Sequence, residues 1–314
     1  MARGVGCERR IESGVELWRL RVGDTTADVA PALGLCVTSW ICGGVERLAL
    51  PSDLATFARS AKTGGVPLLY PWANRLRSDR YHWGGKDVAV TDAPGLKRDA
   101  NGLPIHGCLV RHHWQEIKHA ILGDGILVAG DLAWSPELPA FAAFPFAHQL
   151  SVGIVLCERS LNCVCRVTAL DPTPIAFGWH PYLRLPGPRQ AVTLQLPSRE
   201  RVGLDRALLP VRSGELLAVE PTLPEDRSPL GDRTFDDLFR VPARCVAGLS
   251  GPEGTIHLRF HGGYRFLQVY APAGSDFLCL EPMTAPGAAL SDGHDLPSRG
   301  HLGSFDATFE IVVR

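Results

Sequence analysis

Apolar and polar residues alternate along much of this chain. Leu150, Val152, Ile154 and Leu156 are interleaved with Gln149, Ser151 and Gly153. Leu161, Cys163, Cys165 and Val167 are interleaved with Asn162, Val164, Arg166 and Thr168. The same pattern returns at Ile256, Leu258 and Phe260, and again at Ala307, Phe309, Ile311 and Val313. Successive side chains on a strand point to opposite faces, so a period of two predicts strands with one buried face. Turn-forming clusters separate these runs: Gly84-Gly85, Gly123-Asp124-Gly125, Pro186-Gly187-Pro188, Gly251-Pro252-Glu253-Gly254 and Ala273-Gly274-Ser275-Asp276. Only Ser52 to Lys62 suits a helix, a short one capped by Ser52 or Asp53. No repeat, low-complexity tract or linker interrupts the pattern. The expectation is an all-β protein: a large antiparallel β-sandwich of two sheets, forming one domain over residues 1–314.

Composition narrows the picture. Apolar residues make up 45% and charged residues 21% of 314, which is ordinary for a folded globular chain and excludes disorder. Gly 33 and Pro 25 exceed average usage and agree with many turns between short strands. Lys+Arg 32 against Asp+Glu 33 leaves a net charge of −1. No global positive field exists to hold a nucleic acid backbone, so none is expected as a partner. The nine cysteines show no disulfide framework and no C-x-x-C, which suits a reduced, cytoplasmic protein. Cys163 and Cys165 share a face with Leu161 and Val167 and read as core thiols rather than half of a metal site. Met1 to Leu20 lacks the apolar stretch of a signal peptide, and no run of 18 apolar residues occurs, so no membrane association is expected. Neither phosphate-binding glycine motif is present, and neither cofactor nor metal is expected. Oligomeric state is not legible.

Four stretches place polar groups where a plain sandwich needs none. Tyr70-Pro71-Trp72-Ala73-Asn74-Arg75 ends in a guanidinium, a planar fork of donors suited to hydroxyls or a carboxylate. Pro104-Ile105-His106-Gly107 sets a histidine beside a glycine that permits close approach. His112 and His113 follow, but adjacent residues on a strand point apart and make no metal pair. Phe177-Gly178-Trp179-His180-Pro181-Tyr182 crowds an imidazole with aromatic rings, and an imidazole titrating near neutrality suits general acid work. Phe277-Leu278-Cys279-Leu280-Glu281 is an apolar strand ending in a carboxylate on the face of Phe277 and Cys279, where desolvation would raise its pKa toward that of a general base. Read singly, His106 and His180 equally suit packed core histidines, Glu281 a strand end in solvent, and Arg75 a surface arginine.

Taken together, the stretches resemble the aldose 1-epimerase (galactose mutarotase-like) family, in chain order over roughly residues 40 to 314. The resemblance is carried by Asn74-Arg75-Leu76, His106-Gly107, Gly178-Trp179-His180-Pro181-Tyr182, Asp236-Asp237-Leu238-Phe239 and Leu280-Glu281-Pro282. It implies a β-sandwich that binds a hexose. It further implies that His180 is the general acid and Glu281 the general base, with Arg75, His106 and Asp236 holding the sugar and Asp237 an alternative to Asp236. Trp72 and Trp179 are candidates for stacking on the sugar ring, or else plain core residues. Departures exist: Gly178-Trp179 stand where Thr-Asn is common, Pro282-Met283 follow the Glu, and Cys108 replaces a common Gly. These suggest a divergent subgroup in which galactose is not to be assumed.

The implied reaction interconverts α and β anomers of a hexose. Glu281 takes the O1 proton, protonated His180 gives one to ring oxygen O5, the C1–O5 bond opens, and reclosure follows rotation about C1–C2. The scheme places acid and base on opposite sides of one bond, both charged at once. The alternatives are a hexose-6-phosphate 1-epimerase, with Arg77, Arg80 or Arg184 at the rim, and a non-catalytic sugar-binding domain of the same fold. A glycosidase using Asp236 as a second carboxylate is a further alternative.

Overall fold

The structure is a computed structural model that describes residues 4–214 and 216–314. Its strands pair antiparallel into two large sheets and a smaller N-terminal one. The nine-stranded sheet runs, in spatial order, Ile117–Leu122, Gly125–Trp134, His148–Leu156, Ser160–Ala169, Ser304–Val313, Gly254–Gly262, Val246–Gly251, Thr193–Leu196 and Asp226–Pro229. All four alternating segments of the sequence lie in it. Their apolar residues pair in register, with Ile154 opposite Cys163 and Cys165 opposite Ala307, so each row delivers its side chains to the same side. Cys163 and Cys165 are fully buried core residues.

The seven-stranded sheet runs Glu200–Arg201, Phe235–Arg240, Phe266–Ala271, Phe277–Met283, Gly178–Trp179 and Leu68–Leu69, and Tyr182–Arg184 also pairs with Phe277–Met283. Leu267, Val269, Leu278 and Leu280 of this sheet and Ile256 and Leu258 of the other enter one apolar cluster. Each such side chain, fully buried, contributes about 1.5–3 kcal/mol, which sets the two sheets face to face. The alternate residues of the seven-stranded sheet must then point out of the far side. Asp236, Gln268 and Glu281 occupy those positions, which is how a strand pattern becomes a site.

The N-terminal sheet is a meander of Val5–Glu12, Val15–Val22, Thr25–Ala30, Cys36–Cys42 and Val45–Glu46. The short helix forms at Leu54–Arg59, inside the predicted span, with Asp53 as its cap accepting the Thr56 N–H at 3.0 Å.

Candidate active site

Cross-strand register assembles the floor of the site. Gln268 lies opposite Glu281 on one side and Leu238 on the other, and Asp236 lies opposite Tyr270. Opposed residues share a face, so Asp236, Gln268, Tyr270 and Glu281 point the same way. Gln268 Nε2 donates to Asp236 Oδ1 at 2.6 Å, and Asn74 Nδ2 donates to Gln268 Oε1 at 3.4 Å. Asp237, one residue on, points to the other face and is bonded by Arg201. Of the two adjacent aspartates, Asp236 alone lines the cavity.

His180 follows the Gly178–Trp179 strand, held by its N–H donating to the Pro67 carbonyl at 3.1 Å. Gly178 is needed there, since a Cβ would lie 2.7 Å from the Pro282 carbonyl oxygen and 2.9 Å from Ala73 Cβ. The Tyr182 ring stacks on the imidazole at 4.4 Å, 5° from parallel. Its hydroxyl sits 2.7 Å from Thr63 Oγ1 and 3.4 Å from His180 Nε2. Nε2 also lies 3.3 Å from Glu281 Oε1. The side chains expected as acid and base are thus side by side in contact rather than on opposite sides of a gap. The reason is the register: Tyr182 pairs with Cys279, two residues before Glu281, so the chain carrying His180 runs along the Glu281 strand.

The third wall comes from two loops clamped together. Arg75 bridges Ile105, Tyr70 bridges Gly107, and the His106 N–H donates to the Asn74 carbonyl at 3.0 Å. Gly107 has φ +65°, and a Cβ on it would fall 2.0 Å from the Tyr70 carbonyl oxygen, so no other residue fits. Asn74 and His106 hold left-handed backbone at φ 56° and 66° without being glycine, a strained arrangement that clusters at ligand sites. It points the His106 ring edge-on at His180, with centroids 5.4 Å apart. Arg75 Nε donates to Asp99 Oδ2 at 2.6 Å, and Arg75 Nη1 to Asn74 Oδ1 at 3.1 Å, which fixes the guanidinium.

These groups enclose a cavity of about 270 Å³ in which Ile105 is the sole apolar lining residue. Drug-sized pockets span about 300–1,000 Å³ and are mostly apolar; this one suits a smaller, hydroxylated molecule. His180, Glu281, Arg75, His106 and Asp236 all line it. Trp72 and Trp179 do not. They are 1% and 0% exposed, and both belong to the inter-sheet core, Trp179 against Phe309. Both rings are consumed by packing in that core, which overturns the stacking assignment. The aromatic faces on the cavity belong to Tyr182 and Tyr270. Arg77, Arg80 and Arg184 also lie elsewhere: Arg77 is held by Asp292 and Arg184 by Asp276, and Arg80 lines a different hollow with Arg77.

Burial dominates the electrostatics. It pulls His180 down to about 3, helped by the charge of Lys97. It pushes Glu281 well above the usual carboxylate range, as does Asp236, while Arg75 opposes the rise. Burial also raises Asp236, against Arg75 and the Gln268 hydrogen bond. His106 falls well below its ordinary value through burial and the charges of His180, Lys97 and Arg75. Burial therefore works against the expected imidazolium and carboxylate and in favour of neutral imidazole and carboxylic acid. Both distributions hold the same single proton.

Thr63, Gln268, Tyr270 and Asp99 were not singled out from the sequence. Gln268 had a signal, a polar side chain between Leu267 and Val269 in an apolar run. Asp99 had none, since nothing local ties it to Arg75. Among the described residues no group of three or more His, Cys, Asp or Glu could hold a metal ion, and no helix is long and apolar enough to cross a membrane.

Comparison with known proteins agrees with this fold. A galactose mutarotase-like protein from Clostridium acetobutylicum superposes with a TM-score of 0.82 at 16% identity, covering 99% of this chain and 98% of that one. Galactose 1-epimerase from Lactobacillus acidophilus gives 0.73 at 16% identity, with 99% and 98% covered. An aldose epimerase homologue from C. elegans gives 0.71 at 14% identity, with 99% of both chains covered. No curated protein sequence matches significantly. The sequence model of the aldose 1-epimerase family matches residues 16–296, most of the chain and every lining residue of the cavity, and the protein belongs to that family.

Proposed function

We propose that the protein is an aldose 1-epimerase acting on a free hexose, with Glu281 and His180 exchanging protons with O1 and O5. The observation that carries this reading is the 3.3 Å contact between His180 Nε2 and Glu281 Oε1 in a polar cavity. O1 and O5 are bonded to the same anomeric carbon, so one sugar edge laid over the pair meets both groups. Ring opening moves a proton off O1 and puts one onto O5. Glu281 as carboxylate receives the first, and His180 as imidazolium supplies the second. Afterwards Glu281 is a carboxylic acid and His180 is neutral, which is the direction in which burial pushes both groups. The site field thus matches the open-chain aldehyde state. In the cyclic complex, sugar hydroxyls and Arg75 offset the cost of the charged pair. Rotation about C1–C2 and reclosure return both protons.

Each positioned acid or base typically contributes about 10²–10⁴-fold. Polarimetry of freshly dissolved hexoses should show kcat/KM reduced by about that factor in Glu281→Gln and in His180→Asn. A Glu281→Gln enzyme that mutarotates near the wild-type rate sinks the assignment. The active form carries one shared proton, so the profile is bell-shaped. Its acid limb reflects a second proton reaching His180. Its alkaline limb reflects Glu281 losing the only one.

One observation favours a second reading in which the hexose bears a 6-phosphate. Lys97 lies opposite Ile105 across a two-residue ladder, and its ammonium makes no hydrogen bond or ion pair among the described residues. Its charge reaches both His106 and His180, and burial with the nearby Arg111 pulls its own pKa to about 8. Lys97→Met should cost about tenfold in kcat/KM on the phosphorylated sugar alone if this cation binds the phosphate. Equal losses on both sugars count against it.

A further inference from the structure

On the far side of the nine-stranded sheet, away from the sugar cavity, a hollow of about 460 Å³ is lined by Arg227, Arg244, Arg259, Arg314, His257 and one carboxylate, Glu225. The register shows how it is made. Arg227 lies opposite Gln195, Gln195 opposite Gly248, and Gly248 opposite His257. One row thus crosses four strands on one face, with a missing side chain in the middle. A Cβ on Gly248 would come within 2.6 Å of His257 Cδ2, so the imidazole lies across the gap the glycine leaves. Leu194, Leu196, Ile256 and Leu258 alternate with this row and point into the core, so the row faces outward.

Most of the charge here is unspent. Arg227 and Arg244 are exposed, and their side chains make no hydrogen bond or ion pair among the described residues. Arg259 reaches Glu310 at 3.4 Å, and Glu310 is shared with His261 at 3.6 Å. Glu225 accepts from Gln195 Nε2 at 3.0 Å. A chain of net charge −1 therefore gathers four guanidiniums at one trough against two carboxylates, Glu225 and Glu310. Like charges so placed repel, and an anion relieves them.

We propose that this trough is a second binding site, for a phosphate dianion that is free or borne on a small metabolite, with Arg227 and Arg244 as its main ligands. Guanidiniums match the fork geometry of phosphate oxygens, and the hollow is large enough for a phosphate with a sugar-sized remainder. His257 reports on occupancy. Burial first, then the charges of Arg314, Arg259 and Arg227, lower its pKa in the empty trough. Glu225, Glu310 and Arg244 are the other charged groups around it.

The test is an NMR titration of the His257 ring with inorganic phosphate and, separately, with a hexose 6-phosphate. Binding should move the His257 pKa upward. The Arg227→Gln/Arg244→Gln double variant, which alters two exposed side chains, should weaken binding at least tenfold while leaving mutarotation of an uncharged hexose unchanged. Tighter binding of the ester than of phosphate identifies a phosphorylated metabolite; equal binding identifies the free ion. The proposal is overturned by a His257 ring that ignores millimolar phosphate, by affinity unchanged in the double variant, or by a response only to an acidic peptide. None of these outcomes bears on catalysis at the sugar cavity.

Discussion

Glu281→Gln separates two consequences of burying a carboxyl. The side chain is 3% exposed and its acid form is strongly favoured, so at neutral pH the folded protein resists an ionisation that the unfolded chain undergoes freely. Removing the titrating group should stabilise the fold at pH 7 by about 1 kcal/mol while lowering kcat/KM by the factor expected for loss of the proposed base. Thermal melts of wild type and variant at pH 7 check the sign. The two aspartates offer a second contrast. Asp236→Asn should raise KM about tenfold, since a hydrogen bond to a charged group contributes about 1.5–3 kcal/mol, whereas Asp237→Asn breaks only the bond to Arg201 and should leave KM unchanged. At this scale the sequence was informative about identity and poor about direction. The resemblance, more than their neighbours, singles out His180 and Glu281, which line the cavity, but which aspartate enters the cavity depends on register, and the burial of Trp72 and Trp179 depends on the sheet packed behind them.

The elements explain why short matches scattered over the chain converge. Alternation marks strands without their partners, so the four patterned segments of the nine-stranded sheet were visible, but their order in space was not. The strands that carry the site are shorter or more uniformly apolar, as at Leu278 to Leu280, and periodicity says little there. The loop clamp was legible only in part. The glycine after His106 is plain in the sequence, but the approach of the Tyr70 carbonyl to it, 2.0 Å from where a Cβ would stand, comes from a distant segment. Gly107→Ala should therefore destabilise by about 3 kcal/mol, measured by denaturant unfolding, where an exposed turn glycine would cost far less. Asp99, reached from another loop, is a positioning residue for Arg75. Asp99→Asn should raise KM for the sugar several-fold with kcat less affected, and a loss confined to kcat would refute the assignment.

For the molecule as a whole, stability should depend on pH in both directions. His148 is lowered to about 4 by burial, against a helping bond to the Phe146 carbonyl, and His106 and His180 are lowered as well. Below about pH 6.5 the unfolded chain takes up protons at these positions and the folded chain does not, so stability falls with acid, by up to about 1.4 kcal/mol per pH unit for each ring. Glu281 acts oppositely. Folded, it keeps a proton that the unfolded chain releases above its ordinary pKa, so its contribution declines as pH rises. Melting temperature should peak near pH 6 to 7, and Glu281→Gln should flatten the alkaline side and steepen the rise between about pH 4.5 and the peak. The two sheets carry unlike outer surfaces, a polyhydroxyl-sized cavity on one and an arginine trough on the other, back to back across a shared core. On a negatively charged resin the molecule should therefore land trough-down despite its near-zero net charge, leaving the cavity open to the flowing solution, so that adsorbed protein keeps its catalytic rate until salt lifts it off.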